Sequence, residues 1–122
     1  MGIIAGIIII LISIAHNVYG ELQQIPALKK VTKDPVMIGS LRIMIYQGGI
    51  LLLAVGIIQV LVTTNLIQLI GISAYFPLGI VLINFVTSFV LMASIHREVF
   101  SVAIPQLVIF TIIIVLQLLS LQ

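Results

Sequence analysis

The chain contains no cysteine and no tryptophan. The lack of cysteine excludes disulfides, thiolate metal sites, a cysteine nucleophile and palmitoylation together, and it leaves the redox compartment unmarked. Charge is nearly as scarce. Five basic and three acidic residues make up 7% of 122 residues, against ~25% in a soluble domain. Tyrosines aside, every ionisable side chain lies between His16 and Arg42 or in the tripeptide His96-Arg97-Glu98. No basic stripe crosses a polar face, so no nucleic-acid partner is expected. G-x-S-x-G, P-loop, G-x-G-x-x-G and H-E-x-x-H patterns are all missing, so no catalytic constellation or cofactor is expected and an enzyme is the lesser expectation.

What the chain has is apolar length. It is 62% hydrophobic, with a mean hydropathy of +1.44. Such a surface cannot face water, so lipid is its solvent. A crossing helix needs about 20 apolar residues for a ~30 Å core. That length predicts an all-α integral membrane four-helix bundle, one domain over 1–122, with spans at 2–19, 40–63, 77–95 and 102–121. The N-terminal run lacks a basic flank and a small-residue cleavage site, so it reads as a retained span rather than a signal peptide. Gly6 stands where a myristoylation motif carries Ser or Thr. Residues 64–75 are neutral and Leu/Ile-rich, and read either as helix or as a connector in the interface.

Between the first two spans lies a polar loop with Pro26, Pro35 and three lysines, holding an interfacial helix over 24–32. Pro35 after Asp34 reads as a turn. Gly20 is suited to end the first helix in the left-handed conformation. Pro105 falls in the first turn of the fourth span, where its missing N–H costs little. All five Lys and Arg lie on the face that carries loops one and three, and none on the other. The positive-inside rule then places both loops in the cytoplasm and both termini outside, in a multi-pass protein of the cell membrane.

Two sets of polar residues stand out. Asn84, Thr87 and Ser88 form an intramembrane stripe at helical spacing. It suits hydrogen bonding to Gln59, Gln106 or Thr111, or a path for a neutral solute. His16, Asn17, Glu21, Arg42, Gln47, His96 and Glu98 cluster at the charged ends of the spans. Such groups anchor helices at headgroups, with Glu21 and Glu98 pairing with Lys29, Arg42 or Arg97. Alternatively they relay protons or hold zinc or iron, for which His16, Glu21 and His96 are the candidates. Gly2 and Gly6, and Gly49 and Gly56, are spaced for close helix packing.

The segment His16-Asn17-Val18-Tyr19-Gly20-Glu21, followed by Ile25-Pro26-Ala27-Leu28, resembles an uncharacterised family of small prokaryotic four-span membrane proteins. That family has an H-x-x-x-G-E sequence at the end of its first helix and a basic Pro-Leu loop. Gly39-Ser40 and Arg42 are similar to residues at the start of its second helix. An aromatic-His pair follows there in the family, and Tyr46-Gln47 stands in its place here, which weakens a metal reading. The resemblance implies the architecture and no activity.

Three functions follow as expectations. The first is a structural, assembly or accessory membrane subunit, with the bilayer and either copies of itself or other membrane subunits as partners. The second is a pore or carrier for a small neutral solute. The third is a membrane enzyme or metal-binding protein using the His/Glu cluster. No acid or base lies deep within a span, which argues against ion-coupled transport.

Overall fold

The computed structural model describes residues 1–121, the side chains of Glu98 and Val102 excepted. It is all-helical. Helix α1 is Gly2–Tyr19, α2 Ile25–Val31, α3 Pro35–Thr63, α4 Phe76–Ser94 and α5 Phe100–Ser120. Four segments are long and apolar enough to cross a membrane: Gly2–Val31, Pro35–Thr63, Gly71–Ser94 and Ala103–Ser120. These fit a multi-pass membrane protein.

The polar segment between the first two spans is shorter than expected. Gly20 is right-handed (φ −56°, ψ −49°) and ends nothing. The chain runs on through a π-helical turn, Gly20–Gln24, directly into α2. Gly20 is small because Ile45 of α3 fills the space a Cβ would take. Only Thr32, Lys33 and Asp34 lie outside helix. Asp34 and Pro35 start α3 rather than making a free turn. The Asp34 carboxylate accepts a hydrogen bond from the Val36 N–H at 2.9 Å, and Pro35 occupies the first turn, a helix-start pairing. Helix α3 thus begins five residues before the expected start of the second span. At about 1.5 Å per residue, helices of 30 and 29 residues exceed a ~30 Å core. At the charged end α2 packs back on α3 as a helical hairpin.

Residues 64–75 are neither a continuation of α3 nor one regular connector. Asn65 (φ 59°) and Gly71 (φ 61°) take left-handed turns, and Gly71–Tyr75 is a 3-10 turn leading into α4. Helix α5 starts at Phe100, so Pro105 is its sixth residue and lies inside the helix. There it removes a backbone hydrogen bond rather than occupying a free first-turn position.

Helix α1 packs most extensively on α3, and also on α5; α4 packs on α5 and α3. The α1–α3 pair is antiparallel, since Gly2 lies by Thr63, Gly6 by Gly56 and Gly20 by Ile45. Facing residues recur every seven on both helices: Gly6, Ser13 and Gly20 on one, Ile45, Leu52 and Gln59 with Gly49 and Gly56 on the other. A seven-residue repeat keeps two helices in register along a left-handed seam. The seam's hydrogen bond runs from the Ser13 hydroxyl to the Gly49 carbonyl at 2.7 Å. A central core of Ile9, Leu52, Val55, Val81, Phe110 and Ile113 joins all four long helices.

Candidate functional site

On the charged side of that core lies a cavity of about 540 Å³, to which α1, α3, α4 and α5 all contribute. Its polar lining is His16, Tyr19, Asn84, Ser88 and Gln106, and its apolar wall includes Ile12, Leu52, Ile109 and Phe110. Leu52 and Phe110 also belong to the core and form the floor. Ligand pockets span ~300–1,000 Å³ and combine an apolar lining with a few polar groups. A smaller cavity of about 260 Å³ adjoins it, sharing Ser88 and Gln106 and reaching His96 and Val99. The two histidines therefore stand at different ends of one groove.

The sequence order of α1 sets the width of this site. His16 follows Ser13 by three residues, so it sits beside the seam rather than in it. Gly48 opposes it: a Cβ there would stand 3.6 Å from His16 Nε2. Asn84 donates from Nδ2 to the Ile80 carbonyl of its own helix at 2.9 Å. It does not bridge to Gln59, Gln106 or Thr111, and Thr111 likewise bonds its own helix, to Leu107. The expected cross-helix adhesive role for Asn84 is thus not what it performs. Ser88 lines the cavity, whereas Thr87 is exposed on the outer surface. The stripe divides because Thr87 and Ser88, adjacent in the chain, point ~100° apart around a helix of 3.6 residues per turn.

The second set of residues also divides. Arg42 forms a two-pronged pair with Glu21: Nε to Oε2 at 3.0 Å and Nη2 to Oε1 at 2.7 Å. The fork joins the π turn to α3, and both side chains are partly exposed, 41% and 36%. Asn17 turns inward against Gly49, and its Oδ1 is buried without a protein partner. Gln47 is exposed and lines none of these cavities. The Glu98 side chain lies outside the described residues. Among the described residues, no group of three His, Cys, Asp or Glu is placed to hold a metal ion. His16, Glu21 and His96 are not gathered into one ligand set.

Sequence reasoning passed over Tyr19, Ser13 and Gln117, and it named Gln59 only as a partner for Asn84 rather than for Gln117. Ser13 and Gln59 fall on the seven-residue rows of the glycines and core aliphatics, and Gln117 falls on the row of Ala103 and Phe110. That periodicity was the available signal.

No protein-family model matches the chain, and neither a curated protein nor a solved structure matches it.

Proposed function

We propose that this is a four-helix membrane bundle that binds a small neutral solute in the charged-side cavity, as a carrier or pore. The charged end, with the helical hairpin and the α4–α5 connection, faces the cytoplasm, and both termini are outside. The carrying observation is that all four long helices converge on one cavity whose hydrogen-bonding groups bear no permanent charge. A neutral lining suits a neutral occupant, because an unpaired ion there would lack a counter-charge. The apolar wall suits the occupant's carbon skeleton.

The glycines lend less support to the assembly reading. Gly2, Gly6, Gly49 and Gly56 pack inside the chain, so those surfaces do not receive other spans. The likeness of the His16-to-Glu21 segment to the small prokaryotic family supports the architecture. Its Glu21 serves, in this reading, as the latch that holds the hairpin to α3.

The test is stopped-flow uptake of glycerol and urea into proteoliposomes. Saturable uptake of either solute is expected, reduced several-fold in Asn84→Leu. Because Asn84 bonds only its own helix, that variant should keep its stability within about 0.5 kcal/mol. Wild-type vesicles no more permeable than empty ones, with no saturable binding of either solute, remove this reading.

A further inference from the structure

At the opposite, uncharged end lies a second cavity, of about 280 Å³. It is bounded by the end of α3, the start of α4 and the end of α5, with Gln59, Thr63, Asn65, Gln117 and Ser120 as its polar lining. The central core separates it from the charged-side cavity. At ~30 Å³ per water it has room for roughly nine water volumes.

Its chemistry is specific. Gln117 is buried to 1% exposure and Gln59 to 7%, deep for amides in an apolar protein. Gln117 Nε2 donates to Gln59 Oε1 at 3.1 Å. Gln117 Oε1 has no hydrogen-bond partner within the protein. The two hydroxyls have already committed their hydrogens: Thr63 donates to the Gln59 carbonyl at 2.7 Å and Ser120 to the Gln117 carbonyl at 2.8 Å. What the two hydroxyls and Gln117 Oε1 still offer is oxygen lone pairs, and the second N–H of Gln117 Nε2 remains to donate. A buried amide oxygen left unpaired in a low-dielectric site is costly, which favours an occupant that donates to it.

We propose that this cavity is a second binding site, for a small neutral molecule rich in N–H or O–H donors, built on the Gln59–Gln117 pair. It is entered from the uncharged side and goes beyond the charged-side site, on which it does not depend. Among the described residues its lining holds no carboxylate to counter a cation, so amides and short polyols are the fitting class.

Acetamide and glycerol are the probes, titrated into protein in lipid nanodiscs. The readout is the ¹⁵N-labelled side-chain amide of Gln117 and the backbone amides of Thr63 and Ser120. Expected is a saturable shift of these resonances with at least one probe. It should vanish at Thr63 and Ser120 in the Gln59→Leu/Gln117→Leu variant, which removes both amides together and so leaves neither unpaired. The shift should persist in Asn84→Leu, which separates this site from the charged-side one. A linear, unsaturated drift with both probes, or the same saturable response in the double variant, overturns the proposal and leaves the cavity to water alone.

Discussion

Replacing Gly56 with alanine measures how closely the α1 and α3 backbones approach. A Cβ on Gly56 would stand 3.0 Å from the Gly6 carbonyl oxygen and 3.0 Å from the Ile10 nitrogen, both backbone atoms. The same holds in reverse, since a Cβ on Gly6 would stand 3.0 Å from the Gly56 carbonyl oxygen. Comfortable carbon–oxygen contacts lie at ~3.3–3.6 Å, so the helices must part by several tenths of an ångström. Overpacking of this kind costs about 1–3 kcal/mol. Alanine also returns up to ~1 kcal/mol by restricting the unfolded chain and favouring helix. Gly48→Ala isolates that second effect. It lies in the same helix, and its Cβ would meet only His16 Nε2, at 3.6 Å. Gly48→Ala should therefore be neutral or up to ~1 kcal/mol more stable, and Gly56→Ala should fall about 1–3 kcal/mol below it. Reversible unfolding in mixed micelles, monitored by helical circular dichroism, reads the difference. Equal stability of the two variants, within about 0.5 kcal/mol, would refute the close backbone contact.

Three further outcomes follow. Ser13→Ala removes the hydroxyl donated to Gly49 and should cost ~0.6 kcal/mol, at most about 1.7, in the same unfolding assay. Arg42→Lys keeps the charge but loses the two-pronged contact with Glu21. Because both groups are partly exposed, a double-mutant cycle with Glu21→Gln should give only about 0.2–1 kcal/mol, and a coupling several times larger would mean that the pair is buried in lipid. Single cysteines at Lys30 and Ser73 should be labelled by a membrane-impermeant reagent from opposite sides of the membrane, and labelling of both from one side overturns the proposed topology.

The candidate site was legible by residue type and not by arrangement. His16, Asn84 and Ser88 could be singled out because polar side chains are expensive in lipid. Their sorting depended on angles around each helix, which composition does not hold. Thr87 and Ser88 are neighbours in the chain, yet one faces outward and the other lines a cavity. Gln47 reads as a partner for the histidines until α3 is seen to turn it outward. Gly20 reads as a helix end until Ile45 is found packed on it.

By itself the sequence determined four apolar segments of crossing length, the confinement of charge to two short stretches, and the scarcity of groups for catalysis. These follow from composition and run length, because transfer into lipid depends on local apolarity alone. The tertiary structure decided what depends on partners distant in sequence. It placed the glycines of α1 against those of α3, joined Glu21 to Arg42, and gathered polar groups from α1, α4 and α5 around one cavity that α3 helps to wall. It also buried Gln59 with Gln117 at the far end. Hydrogen bonds and close packing act over a few ångströms, so which residues make them is fixed only once the helices have packed.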